Sequence, residues 1–378
     1  MAKKSGSLAL LDYLDERVEG LRKLAAKAIR DQDVEAVHAA RVTTRRLKAA
    51  IDLMQPVLSR RCRRPFSRIT RKLRRQLGPL RDLDVMLGHL ADYRAGRHAA
   101  ATEWVVARLA RCRELAARDA QKKTPPAQVL ARLGSWWGVR QDISDAAKSI
   151  DALLADRIHV QLDMFAAQAG QLSAVTDAGG VESEQKNNAD SDAARAAKSP
   201  AHGDPHEVRI AGKSLRYTLE MAEQHGRKLP PRTLAQFKNM QEALGMWHDY
   251  IVLTERMLME TVECDLALHD PGLQEQILSL AQTTLRKAQV ELKKFTALWS
   301  QNGAKLSEGI RERIPRKGHG EGKVEEAPVG EAAEPKAEAG PDAETVVNAE
   351  VVEALTSAEA APGAAGITPD PADVSSVA

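Results

Sequence analysis

Aromatic side chains are scarce in this chain: five Trp, four Tyr and four Phe in 378 residues. A sheet-built core draws on aromatic and β-branched residues in alternation, and no convincing alternating run occurs, so strands are not expected. Cysteine is nearly absent as well. Cys62, Cys112 and Cys264 are scattered, with no Cys-x-x-Cys pair to hold zinc or run redox chemistry, which fits a reducing compartment. No apolar run reaches the roughly 18 residues a membrane span needs, and the amino terminus turns charged too soon for a secretory leader. A soluble, cytoplasmic protein is expected.

Catalytic signatures are missing too. The sequence holds no Walker-type Gly-rich loop, no His-Glu-x-x-His and no nucleophile with an activating base, so neither an enzymatic reaction nor a cofactor is expected. One metal candidate exists, Asp82 and Asp84 with His89, but an isolated Asp-x-Asp amid cations is a weak one, and no metal site is expected. Trp104, Trp136 and Trp137 read as core packing.

What is abundant is Ala, Leu, Arg, Glu and Gln, all helix formers. Apolar periodicity predicts helices over 8–30, 34–58, 65–77, 80–94, 99–120 and 141–168, then 206–225, 231–244, 247–267 and 273–300. Gly78 and Gly245 are expected to end helices as C-caps. Residues 171–205, rich in Gly, Ala, Ser, Asn and Asp, read as a linker between a first half (5–170) and a second (206–300). Residues 301–378 read as a disordered tail. Within it, 321–378 hold thirteen acids against two bases, a charge of −11, so the remainder of this +3 chain carries +14. A passive solubilising tail and an anionic competitor for the basic body both fit that composition, as does a short helix over 344–359.

A basic stretch occurs twice. HAARVTTRRLK starts at His38 and HEVRIAGKSLR at His206, 168 residues later; QLGPLRD from Gln76 and ALGMWHD from Ala243 follow 167 residues apart. Two matches at one period imply an internal duplication. At 3.6 residues per turn, His38, Arg41, Arg45 and Lys48 fall within an arc of about 80°. Val37, Ala40, Leu47, Ile51, Met54 and Leu58 take a different arc, the expected core face. His206, Arg209, Lys213 and Arg216 repeat the basic stripe. From Arg41 to Arg81 there are fourteen Lys or Arg and one acid, Asp52. Like charges at helical spacing repel, so a run this unbalanced points to a polyanionic ligand. Arg64, Arg68, Arg71 and Arg75 form a second stripe. Its counterpart is diluted, with Ala235, Asn239 and Glu242 where Arg68, Lys72 and Arg75 stand, so the first half is the expected stronger binder. Asp82 and Asp249 are expected to cap helices and orient the neighbouring Arg81 and His248.

These motifs resemble the CHAD family, histidine-containing α-helical domains that bind inorganic polyphosphate. HAARVTTRRLKAAIDLM is similar to that family's first His-x-x-Arg helix and HEVRIAGKSLRYTLEM to its second; LGPLRDLDVML and LGMWHDY are similar to the elements that follow each. The resemblance covers about residues 5–300. It implies an all-α fold: two four-helix bundles related by a pseudo-twofold axis, with a basic groove between them. By motif position it implies ligand contacts at His38, Arg41, Arg45, Lys48, Arg71 and Arg81, and at His206, Arg209, Lys213, Arg216, Lys238 and His248. The charge run adds Arg46, Arg68, Lys72 and Arg75. Inorganic polyphosphate is the expected partner, with nucleic acid or another polyanion as the alternative, and an association with polyphosphate granules follows from the resemblance. The family's fused triphosphatase module is not expected, because the chain has no room for its β-tunnel beside the helical region.

Overall fold

The computed structural model describes residues 6–178 and 203–316. They form eleven α-helices and no strand among the described residues. In order these are α1 (Gly6–Ala26), α2 (Val34–Leu53), α3 (Arg60–Leu90), α4 (Ala99–Lys123), α5 (Pro126–Leu133), α6 (Trp136–Asp145), α7 (Ile150–Ala178), α8 (Pro205–Gln224), α9 (Pro231–Glu263), the short α10 (Leu266–His269) and α11 (Pro271–Arg313). None is long and apolar enough to cross a membrane.

Local chemistry sets where the site-bearing helices start. Asp33 caps α2 by accepting from the Ala36 amide at 2.7 Å, and Asp204 caps α8 by accepting from the His206 amide at 2.8 Å, with Pro205 in the first turn. Ser59 opens α3 and is itself fixed: its amide and hydroxyl both donate to Asp142 of α6, at 2.9 and 2.8 Å.

Two clusters of buried side chains hold the helices together, and they do not divide by sequence half. The larger takes Leu10, Leu14 and Leu21 from α1, Val37 and Leu47 from α2, Phe66 and Leu73 from α3, Phe165 from α7, Leu215 from α8 and Phe237 from α9. The smaller joins Met86 and Leu90 of α3, Val105 and Leu109 of α4, Leu253 and Met257 of α9, and Ile277 and Leu280 of α11. At about 1.5 Å per residue, α3 and α9 are long enough, roughly 46 and 50 Å, to run through both clusters. Each full burial of a Leu or Phe contributes about 1.5–3 kcal/mol, which dominates any local propensity.

Gly78 and Gly245 do not end helices; both lie inside α3 and α9, which run on through them. Leu77, Leu80 and Leu83 flank that point of α3 and are all buried, so packing outweighs even Pro79 in the interior. Asp82 and Asp249 therefore sit mid-helix and cap nothing. The 141–168 helix is two elements, α6 and α7, while α5 went unpredicted. The linker begins later than 171, since α7 continues to Ala178, and the tail later than 301, since α11 continues to Arg313. Residues 179–202 and 317–378, with the helix expected at 344–359, lie outside the described residues.

Candidate polyanion-binding face

The four helices that carry the duplicated motifs are mutual neighbours: α2 packs on α3 and α8, and α9 packs on α3 and α8. His38, Arg41, Arg45, Arg46 and Lys48 are on α2; Arg68, Arg71, Lys72, Arg75 and Arg81 on α3; His206, Arg209, Lys213 and Arg216 on α8; Lys238 and His248 on α9.

Arg41 is the structural centre of the first half. It is buried, and its guanidinium donates to the Arg74 carbonyl at 3.1 Å and reaches Asp82 at 3.5 Å. Gly78 makes room for it, because a Cβ there would fall 2.8 Å from Arg41 Nη1. The Leu-Gly element is thus a seat for an arginine, not a helix stop. No such role falls to Gly245, around which a Cβ would meet nothing within 4 Å.

His38 faces Arg81, Arg45 and Arg41. Partial burial of its ring, then Arg81, with smaller contributions from Arg45 and Arg41, hold its pKa below the ordinary imidazole value, against an upward pull from Glu35. The same ring edges a cleft of about 320 Å³ between α1 and α2, shared with Arg17, Gly20, Thr43 and Arg46. In the second half the corresponding motif positions also meet: the His206 and His248 rings lie 5.6 Å apart. Arg209, like Arg41, is buried.

The two halves differ in how their cations are neutralised. On α3, Arg64, Arg68, Arg71 and Arg75 are exposed on the face opposite Phe66, Ile69, Leu73 and Leu77. Among the described residues, no carboxylate pairs with any of them, or with Lys72 or Arg81. On α9, Lys238 pairs with Glu242 at 3.5 Å, and on α8, Arg216 pairs with Glu220 at 3.1 Å. Lys48 pairs with Asp52 at 2.7 Å.

Arg46 is placed differently from its neighbours. Its Nε donates to Glu220 at 2.7 Å and its Nη2 at 3.3 Å, a two-pronged tie between α2 and α8. Glu220 therefore gathers two of the cations assigned to the ligand, Arg46 and Arg216. The signal for the second was in the sequence, as an Arg four residues before a Glu; the first needed the fold. Gly212 has a packing role: a Cβ would meet Phe165 at 3.1 Å and Gln241 at 3.2 Å.

The metal candidate is dispersed. Asp82 faces Arg41, Asp84 accepts from Arg113 at 2.5 Å, and His89 stands 3.8 Å from Asp249. No group of three potential ligands is assembled among the described residues. One Ser-His-Asp series does occur: Ser7 Oγ lies 3.3 Å from His225 Nε2, and His225 Nδ1 lies 3.7 Å from Asp151. The serine and the carboxylate are also engaged elsewhere. The Ser7 hydroxyl donates to the Ala147 carbonyl at 3.0 Å, and Arg227 takes both Asp151 oxygens at 2.6 Å each. The series is a clasp between α1, α7 and the end of α8.

Sequence reasoning misplaced Trp137. Trp136 is buried against Phe66, with ring centroids 5.2 Å apart, but Trp137 is 69% exposed. Adjacent helical positions point about 100° apart, so only one of the pair can face the core.

The family model described as CHAD domain matches residues 12–258. Comparison with curated proteins finds no match. Among solved structures, the chain is similar to one described as PptA from Streptomyces chartreusis, at 16% identity and a TM-score of 0.46, over 79% of this chain and 100% of that one.

Proposed function

Because the chain belongs to the CHAD domain family, we propose that it binds inorganic polyphosphate on the basic face of α2 and α3, across a groove completed by α8 and α9. The observation that carries this reading is the stripe of four exposed arginines on α3, Arg64, Arg68, Arg71 and Arg75, which pair with no carboxylate among the described residues, near His38 and Arg81. Exposed like charges in helical register repel one another, and a polyanion relieves that repulsion. Arginine suits the ligand: its planar fork of donors matches phosphate oxygens and keeps its charge at any physiological pH. The role is binding without catalysis, and association with polyphosphate granules is the cellular consequence.

The face is asymmetric. Salt bridges within the protein occupy Lys238 and Arg216, whereas Arg64, Arg68, Arg71 and Arg75 are available to ligand without breaking a pair among the described residues. The first half carries most of the affinity. A titration of long-chain polyphosphate against the full chain at several salt concentrations tests the reading. With six or more phosphate contacts, affinity falls by orders of magnitude between low and physiological salt. Salt-insensitive binding, or none, overturns it.

A further inference from the structure

Helices α9 and α11 border a cleft of about 460 Å³ that shares no residue with the polyphosphate face. Tyr250 lines it from α9, and Thr283, Arg286, Lys287, Val290 and Glu291 line it from α11. The family match ends at residue 258, so the α11 wall lies outside it. Contacts behind the walls hold them in place. The buried Tyr250 ring packs against His89 of α3, with ring centroids 4.9 Å apart. Lys287 Nζ stands 4.6 Å from the ring centroid of Tyr93 and 5.6 Å from that of Tyr250, a cation held by two aromatic rings.

The cleft is cationic. Among the described residues no carboxylate pairs with Arg286 or Lys287, and Arg286 is exposed. The nearby acids offset this only in part: Glu291 is paired with Lys294 at 3.3 Å, and Asp92 acts on Lys287 from beyond ion-pair distance. An arginine fork beside a lysine point charge suits the two charges of a phosphate monoester. Acceptors line the rest. The Thr283 proton is committed inside the protein, to the Ser279 carbonyl at 3.0 Å or to His98 Nε2 at 3.4 Å, so toward the cleft its oxygen only accepts. The Glu291 carboxylate accepts as well, and exposed Val290 with the edge of Tyr250 offers apolar contact.

We propose that this cleft binds a phosphorylated sugar, with Arg286 and Lys287 on the phosphate and Thr283 and Glu291 on sugar hydroxyls. A free sugar phosphate and a nucleotide share that chemistry. Inorganic polyphosphate fits less well, since it carries no chain of hydroxyls for the two acceptors and draws on a longer track of cations. The volume falls within the range of about 300–1,000 Å³ for sites that take one small ligand. The cleft does not depend on the polyphosphate reading, and each stands or falls separately.

The test titrates the full chain with ribose 5-phosphate, adenosine monophosphate, ribose and inorganic phosphate in turn, by calorimetry at physiological salt. The tighter of the first two is expected to bind at least about tenfold more tightly than ribose or phosphate alone, because only a joined ligand uses both sets of groups. Equal affinities for the two give the base no part; a preference for adenosine monophosphate makes the source a nucleotide. Arg286→Gln removes a charged donor and Val290→Glu adds a repelling charge, and each is expected to weaken that binding by about tenfold. Both positions are exposed, so the fold survives; an unchanged thermal melt verifies this. Polyphosphate affinity is expected to stay within about twofold for both variants. Arg71→Glu with Arg75→Glu, on the polyphosphate face, is expected to leave binding of the sugar phosphate unchanged. Wild-type protein that binds neither phosphorylated probe at about 1 mM overturns the proposal. So does phosphate alone binding as tightly as the phosphorylated sugars, an Arg286→Gln variant that binds them equally well, or their loss in the α3 double. Failure of the wild type to bind polyphosphate, in contrast, sinks only the function proposed above.

Discussion

The Arg41 guanidinium occupies the space over Gly78, 2.8 Å from where a Cβ would stand, and donates from there to the Arg74 carbonyl. The repeated Leu-Gly element thus has unequal roles in its two copies. In a helix interior Gly→Ala gains about 1 kcal/mol from propensity alone. Gly245→Ala meets nothing within 4 Å and is expected to stabilise the protein by about that amount. Gly78→Ala displaces a buried arginine and its hydrogen bond, at a cost of about 1–3 kcal/mol, so it is expected to be neutral or destabilising. Urea unfolding of the two variants reads the difference directly.

Glu220 joins the halves by accepting from Arg46 and Arg216. Glu220→Gln removes the charge and leaves the shape. Both members of the Arg46 pair keep about a quarter of their side-chain surface in water, 25% and 23%, so the expected loss of stability is modest, about 1 kcal/mol. Two cations are released at the same time, so polyphosphate affinity is expected to rise at low salt and to converge on the wild-type value at high salt. Calorimetry on the variant at two ionic strengths measures both effects.

Burial lowers the pKa of His38, His98 and His225; Arg227 lowers that of His225 further, while Asp151 partly offsets this. Each is neutral in the folded protein at pH 7 and takes up a proton more readily when unfolded. Their contribution to stability is thus present above the unfolded value of about 6.5 and is lost as pH falls below it. The melting temperature is expected to drop between pH 7.5 and 5.5. If polyphosphate binds beside His38 as proposed, it offsets the repulsion from Arg81, Arg45 and Arg41, so ligand affinity is expected to rise as pH falls over the same range, and His38→Gln is expected to reduce that rise.

Glu255 is shifted the other way. Burial raises its carboxyl to about 7, and its Oε1 has no hydrogen-bond partner. The neutral acid is favoured in the fold, so its contribution is complete below the unfolded value of about 4.5 and is lost as pH rises through 7. Glu255→Gln is expected to stabilise the protein at pH 8 and to do little at pH 4.5, a comparison that thermal melts at the two values provide.

The helices were legible where local chemistry and packing agree. Val34 starts α2 as expected, because Asp33 caps it and Val37, Ala40 and Leu47 share one buried face. The Leu-Gly-Pro run at Leu77, Gly78 and Pro79 misled, because its helix-breaking propensity is local while the burial that overrides it is not. The basic stripes were legible from spacing alone. Which of their members are neutralised was legible only for partners four residues away, as with Lys48 and Asp52; the tie between Arg46 and Glu220 spans 174 positions and belongs to the fold. Trp137 was misread because sequence does not say which of two adjacent indoles the core accepts.

Charge reversal on matched pairs of cations tests the central claim most directly. Arg71→Glu with Arg75→Glu removes exposed cations of the first half that have no described carboxylate partner; Arg216→Glu with Lys238→Glu removes cations of the second half already paired with Glu220 and Glu242. Both doubles change the net charge equally and involve solvent-exposed helix positions. The measurement is the dissociation constant for long-chain polyphosphate at fixed salt. The account predicts a loss of about tenfold or more for the first double, together with a shallower salt dependence, and a clearly smaller loss for the second. Equal losses would contradict the asymmetry, and no loss in the first double would contradict the site itself.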